Sequence, residues 1–133
     1  MPYDMPPVPD DMPPAAGSLP VLIVDDEPAI VDLLRAVLED EGFTVVTASN
    51  GAAALYLIQR TPVALVLTDL MMPLVSGIDL AHQLHNSPQT ASIPLLLMSA
   101  AMPQQINPIF AAVIHKPFAV DTVVSIVRQF LPG

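Results

Sequence analysis

The chain has 133 residues, no cysteine, and 13 acidic against 4 basic side chains, which gives a net charge of −9 at pH 7. Its length suits one compact domain, and the missing cysteines exclude disulfides, thiolate metal sites and a catalytic thiol. With so few cations the chain lacks the basic surface that binding to nucleic acid requires, and we expect no nucleic-acid partner.

No segment of the sequence is apolar over a length that could cross a membrane. The longest apolar run between prolines, residues 93–103, is far shorter than the roughly 20 residues that a spanning helix needs. The first residues also lack the cationic start and apolar core of a secretory signal. We therefore expect no membrane association and a cytoplasmic location.

The beginning of the chain differs in composition from the rest. Residues 1–18 are rich in proline and poor in bulky aliphatic side chains. A segment of this kind buries too little apolar surface to offset the entropy that it loses on ordering. We interpret it as a disordered tail or linker, and residues 19–133 as a single domain.

Beyond the tail, short apolar runs typical of buried strands alternate with segments whose apolar residues recur at helical spacing. The strands are predicted at residues 19–24, 43–48, 63–68, 93–98 and 112–115. The helices are predicted from Pro28 to a stop at Gly42, and then at residues 52–59, 77–85 and 121–131. This alternation predicts right-handed βαβ units and therefore an α/β fold with a five-stranded, doubly wound parallel sheet.

Acidic residues follow two of the predicted strands. Asp25, Asp26 and Glu27 come directly after the first strand, and Asp69 follows the third. Because ligands bind at the carboxyl ends of the strands in such a sheet, we expect these carboxylates to share one crevice. Hard oxygen ligands without His or Cys favour Mg²⁺, so the sequence predicts a magnesium site.

Two further groups are predicted at the same end of the sheet. Ser99 ends the fourth strand, and Lys116 directly follows the fifth. A carboxylate nucleophile, a divalent cation, an ammonium and a hydroxyl are the groups that phosphoryl transfer to an aspartate requires. The pattern favours this chemistry, although each residue taken alone also fits a structural role such as a helix cap.

Four stretches of the sequence resemble the receiver domain of two-component response regulators. They are VLIVDDEPAI, LVLTDLMMP, LLLMSA and HKPF, in that order along the chain. The resemblance covers residues 19–131 and implies the flavodoxin-like fold of CheY-like proteins. It also implies a signalling domain that catalyses only its own phosphorylation and dephosphorylation, with a histidine kinase or a histidine phosphotransfer protein as phosphodonor.

The resemblance assigns roles to individual residues of the crevice. Asp69 would accept the phosphoryl group on its side chain. Mg²⁺ would be held by Asp26 directly and by Asp25 through water, together with Asp69 and the carbonyl of Met71. Ser99 and Lys116 would contact the phosphoryl group, and the bond between Lys116 and Pro117 would be cis.

Two features depart from the family pattern. Val113 stands where the family usually has an aromatic residue, three positions before Lys116. The segment between Ser99 and Lys116 is short for a full helix and contains Pro103 and Pro108, which a helix interior resists. We expect an irregular loop or a single turn in place of the fourth helix.

The second half of the chain is poor in charge, with no Lys, Arg, Asp or Glu at residues 80–115. An exposed apolar patch here would mark a partner surface or self-association. We therefore expect the face formed by residues 99–131 to bind an output partner or a second copy of the chain. Two other functions stay open at this point: a pseudo-receiver that acts as a constitutive interaction module, and a Mg²⁺-dependent phosphohydrolase.

Overall fold

The computed structural model describes residues 19–70, 76–100 and 109–131, and it has five strands and four helices within these ranges. In chain order the elements are β1 (Val21–Val24), α1 (Pro28–Asp40), β2 (Val45–Ala48), α2 (Gly51–Arg60), β3 (Leu65–Asp69), α3 (Gly77–His85), β4 (Leu95–Ser99), β5 (Ala112–His115) and α4 (Val120–Phe130). Helix α3 and strand β5 have the predicted bounds, and the other elements begin and end close to theirs.

All five strands pair in parallel, in the order β2-β1-β3-β4-β5. The register places Asp69 beside Met98 and Ser99 beside His115. The carboxyl ends of β1, β3, β4 and β5 therefore lie next to one another at one end of the sheet. The predicted α/β fold with a five-stranded parallel sheet is confirmed.

Helices cover both faces of the sheet, and each face has its own apolar core. Val21 and Ile23 of β1 belong to the core formed with α1 and α4. Leu22 and Val24 of the same strand belong to the core formed with α2 and α3. Because both faces of β1 are buried, its residues are all apolar and do not alternate with polar ones. The sheet is thus doubly wound, as predicted.

Prolines decide where two of the strands begin. β1 starts directly after Pro20 and β4 directly after Pro94, so both begin later than their apolar runs suggest. Proline has no N–H to donate to a sheet ladder, which explains these starts. The carbonyls of the two prolines still accept hydrogen bonds, from the N–H groups of Ala64 and Val66.

The helices begin and end at residues suited to those positions. Pro28 opens α1, where its missing N–H costs nothing, and Gly42 follows the end of that helix with φ +96°. Asn50 caps α2 by accepting the N–H of Ala53 at 2.7 Å, and Ser76 caps α3 in the same way. These two side-chain hydrogen bonds fix the first residues of α2 and α3.

Two predictions fall mainly outside the described ranges. They are the disordered tail or linker at residues 1–18, and the irregular loop or turn expected between Ser99 and Lys116, since residues 101–108 are not among those described. Within the described part of the chain, no helix is both long and apolar enough to cross a membrane.

Neighbouring leucines of α1 provide a matched test of this packing. Leu34 is fully buried, whereas Leu33 is 44% exposed. Leu34→Ala leaves a cavity, so it should lower the free energy of unfolding by about 2–5 kcal/mol. Leu33→Ala should lower it by less than about 1 kcal/mol. Urea unfolding measures both changes, and equal losses would contradict the buried face assigned to α1.

Candidate functional site

Three aspartates meet at the carboxyl ends of two central strands. Asp25 follows β1 and Asp69 ends β3, and these strands are neighbours in the sheet. Asp25, Asp26 and Asp69 each contribute a carboxylate oxygen to a group that lies within 4.8 Å. Asp25 and Asp69 are buried, whereas Asp26 is exposed. The parallel topology thus brings together carboxylates that are far apart in the sequence.

Both carboxylate oxygens of Asp25 have partners. Oδ1 accepts a hydrogen bond from the backbone N–H of Glu27 at 2.9 Å, and Oδ2 accepts one from Lys116 Nζ at 3.0 Å. The backbone N–H of Asp25 donates to the carbonyl of Ala48 at the end of β2. A buried carboxylate needs such partners, because an unpaired buried charge is strongly unfavourable.

Lys116 reaches into the acidic cluster from the end of β5, and it is the only lysine in the sequence. Besides its contact with Asp25, its ammonium lies 3.1 Å from Asp69 Oδ1 and 3.6 Å from Glu27 Oε1. Its backbone N–H donates to the Ser99 carbonyl at 2.8 Å, which joins the end of β5 to the end of β4. One ammonium therefore contacts three carboxylates.

Ser99 borders the same site. It ends β4, next to β3 in the sheet, and it is buried. An open cleft beside it is lined by described residues of four strand ends, namely Asp26, Glu27, Asp69, Leu70, Ser99, Ala100 and Lys116. The Lys116–Pro117 bond is cis, as the resemblance implied. The Met71 carbonyl, expected as a further metal ligand, lies outside the described residues.

The surroundings of Asp69 and Lys116, which face each other across the site, raise the pKa of both groups. Burial raises the pKa of the Asp69 carboxyl, and repulsion from Asp25 adds to the rise, while the hydrogen bond from Lys116 opposes it. Burial alone would lower the pKa of Lys116. The hydrogen bonds and charges of Asp25 and Asp69 outweigh that effect, so the pKa of Lys116 is raised. The site therefore favours positive charge.

The donor set suits a hard divalent cation. Within the described residues the cluster consists of the carboxylates of Asp25, Asp26 and Asp69. The single ammonium of Lys116 pairs with two of them, Asp25 and Asp69, so the cluster keeps a surplus of negative charge. Carboxylate oxygens are the protein ligands that Mg²⁺ prefers, and it binds through one or two of them while keeping several waters. The residues present therefore fit the predicted cation.

Two neighbours hold the backbone of Asp69. Thr68 Oγ1 donates a hydrogen bond to the Asp69 carbonyl at 3.0 Å. Gly77, the first residue of α3, packs so closely on the same carbonyl that a Cβ at this position would overlap with it. The Gly77 N–H donates to the carbonyl of Leu70 at 3.0 Å. This close approach of two backbones requires glycine.

Glu27 is the charged neighbour of the site that sequence reasoning left without a role of its own. In the sequence it is only the last residue of the acidic run after the first strand, and its adjacency to Asp25 and Asp26 is the one available signal. The structure shows that its carboxylate reaches Lys116. The other residues predicted for the site, as far as they are described, come together at this end of the sheet.

Solved structures of similar proteins share this architecture. The chemotaxis response regulator CheY4 of Vibrio cholerae matches with a TM-score of 0.79 at 24% identity, over 85% of this chain and 98% of CheY4. The response regulator TrrA of Thermotoga maritima, in complex with Mg(2+)-BeF, matches with a TM-score of 0.77 at 28% identity, over 85% of this chain and 99% of TrrA. The fold is thus the flavodoxin-like fold of CheY-like signalling domains.

Sequence comparison identifies the family. The response regulator receiver domain matches residues 21–128. The probable transcriptional regulatory protein TcrX of Mycobacterium tuberculosis is 33% identical over 116 residues, which cover 84% of this chain and 49% of TcrX. The chain therefore spans about half the length of this relative. The chain belongs to the response regulator receiver domain family, as the four sequence stretches indicated.

The contact between α3 and the Asp69 carbonyl can be tested at Gly77. Gly77→Ala should lower the free energy of unfolding by about 1–3 kcal/mol, because the added methyl group must displace the Asp69 backbone. Ile78→Ala is the control, since Ile78 is the next residue of the same helix and is 38% exposed. In urea unfolding, Ile78→Ala should lower the free energy of unfolding by less than Gly77→Ala does. A Gly77→Ala variant as stable as the parent chain would contradict the contact.

The ion pairs of Lys116 can be tested through its titration. Because the sequence has one lysine, labelling lysine with ¹³C at Cε gives a single NMR signal. The midpoint of its pH titration should lie above that of an unperturbed lysine. Asp25→Asn should lower the midpoint, because it removes a charge and leaves Lys116 buried. Asp40→Asn, at the far end of α1, is the control and should leave it unchanged. An unaltered midpoint in Asp25→Asn would show that another group raises the pKa.

The same shift makes stability depend on pH. The pKa of Lys116 is higher in the folded chain than in the unfolded one. Its ion pairs therefore contribute their full stability below the unfolded pKa, and this contribution is lost as the pH rises through the folded pKa.

Proposed function

We propose that Asp69 is the phosphoacceptor of this receiver domain and that it is phosphorylated with Mg²⁺ bound. The observation that carries the proposal is the position of Asp69 Oδ1, which lies 3.1 Å from Lys116 Nζ within the cluster of three carboxylates. The cleft beside Asp69 is open, so a phosphodonor can approach the carboxylate. Together these features supply a nucleophile, a neutralising ammonium and a path to both.

The transfer needs positioning and charge more than covalent chemistry from the protein. An oxygen of Asp69 attacks the phosphorus of the donor. The new O–P bond forms as the bond from phosphorus to the donor nitrogen or oxygen breaks, and the donor keeps that electron pair. Lys116 pairs with the charge on the phosphoryl oxygens. Ser99 donates its hydroxyl hydrogen to one of them, a role supported by its place at the end of β4.

Mg²⁺ would be held by carboxylate oxygens of Asp26 and Asp69 directly and by Asp25 through water, with the carbonyl of Met71 as a further ligand. The approach of three carboxylates to within 4.8 Å supports this assignment. The complex of the related TrrA with Mg(2+)-BeF supports it as well. When bound, the ion neutralises charge on the phosphoryl oxygens.

The signalling context follows from the family. We propose a histidine kinase or a histidine phosphotransfer protein as phosphodonor, a cytoplasmic location, and no reaction beyond the chain's own phosphorylation and dephosphorylation. The face formed by residues 99–131 is proposed to bind an output partner or a second copy. The lack of charged residues at positions 80–115 supports an apolar contact there.

Neither alternative function gains support. A pseudo-receiver would have no need for two buried aspartates that share one lysine beside an open cleft. Val113, where the family usually has an aromatic residue, is half-buried and packs against the core beneath α2 and α3. A phosphohydrolase would need a second acid-base carboxylate close after the nucleophile, where the sequence has Leu70 and Met71.

Phosphorylation by a small acyl phosphate tests the acceptor. With Mg²⁺ present, the parent chain should gain one phosphoryl group, seen by intact mass. Asp69→Asn should gain none, because the amide is not a nucleophile, whereas the control Asp79→Asn on the exposed side of α3 should gain one. A gain in Asp69→Asn would assign the acceptor elsewhere, and no gain in the parent chain would contradict the proposed function.

A further inference from the structure

Glu27 contacts the same ammonium as the two buried aspartates. Its Oε1 lies 3.6 Å from Lys116 Nζ, compared with 3.0 Å for Asp25 Oδ2 and 3.1 Å for Asp69 Oδ1. The Glu27 side chain is 63% exposed, whereas that of Lys116 is 14% exposed. Lys116 therefore has two carboxylate partners inside the site and a third at its mouth.

The backbone of Glu27 is held by hydrogen bonds, while its carboxylate faces the cleft. Its N–H donates to Asp25 Oδ1, and its carbonyl accepts the N–H groups of Ile30 and Val31 in the first turn of α1. Glu27 precedes α1 at the capping position, yet its side chain makes no capping hydrogen bond. It lines the open cleft instead, together with Asp69 and other residues of the site.

We propose that Glu27 is a positioning residue of the phosphoacceptor site. Its carboxylate draws the Lys116 ammonium toward the mouth of the cleft and adds negative charge where a phosphodonor enters. This inference rests on the proposed function of Asp69 for its kinetic part, while its effect on cation binding can be measured without phosphorylation. The two effects have opposite signs, and a purely structural role would not produce this combination.

For a divalent cation the charge of Glu27 is favourable. It adds attraction, and it draws Lys116 away from the carboxylates that would hold the ion. Glu27→Gln keeps the length of the side chain and removes its charge. It should therefore weaken Mg²⁺ binding by about two- to fivefold, the range expected for an exposed charge pair.

For an anionic phosphodonor the same charge is unfavourable. At saturating Mg²⁺, Glu27→Gln should raise the rate of phosphorylation by a small acyl phosphate about two- to fivefold, since the donor no longer meets this repulsion. Lys116 is then also shared with fewer carboxylates. Both changes should shrink at high ionic strength, because salt screens exposed charges.

Two further variants separate this role from other effects of the substitution. Asp40→Asn removes one negative charge at the other end of α1, about 20 Å from Glu27 along the helix, and should leave Mg²⁺ binding and the rate unchanged. Glu27→Asp keeps the charge at the mouth on a shorter side chain. Its Mg²⁺ affinity and rate should lie closer to those of the parent chain than those of Glu27→Gln.

The experiment measures the Mg²⁺ dissociation constant without donor, and then the phosphorylation rate at saturating Mg²⁺, for the parent chain and the three variants. Weaker binding with faster phosphorylation in Glu27→Gln alone supports the role of Glu27. Unchanged values in Glu27→Gln, or equal changes in Asp40→Asn, overturn it. If the parent chain is not phosphorylated, the proposed function of Asp69 fails, and the Mg²⁺ constants still decide for or against Glu27.

Discussion

The site depends on one ammonium that lies between two buried carboxylates. Asp25 and Asp69 would repel each other if both were ionised and unpaired, and Lys116 is within 3.1 Å of an oxygen of each. The lysine comes from β5, at the edge of the sheet, and its backbone is tied to β4 through Ser99. The charge balance of the site therefore depends on the order in which the strands pair.

Asp69, the proposed phosphoacceptor, is also held by contacts that carry no charge. Thr68 donates to the carbonyl of Asp69, and Gly77 brings the start of α3 onto the same carbonyl. These contacts hold the backbone of Asp69 from two sides, whereas the side chains of Asp26 and Glu27 are exposed. The arrangement combines a buried, hydrogen-bonded Asp69 with exposed charges at the opening, which suits the proposed roles of a phosphoacceptor and a cation site.

Much of this could be predicted from the sequence, because the strands are buried on both faces and their ends carry polar residues. The alternation of strands and helices predicts the parallel sheet, and the rule that ligands bind at the carboxyl ends of its strands predicts that Asp25, Asp69 and Lys116 lie close together. The apolar runs predict starts for β1, β2, β3 and β4 that are two residues too early, because an apolar run does not show which N–H groups join the ladder. The contacts of Glu27 and Gly77 could not be predicted, since they depend on side-chain direction and on the approach of α3 to β3.

β3, which ends at Asp69, lies in the middle of the sheet, and all of its residues are buried. Backbone amides in such a strand exchange with solvent only when the whole domain opens, whereas edge strands and loops open locally. Asp69 is therefore carried by a strand whose backbone resists local opening. If Asp69 is phosphorylated as we propose, the new group is attached to a support that does not open locally, while Lys116 approaches it from the end of the edge strand β5.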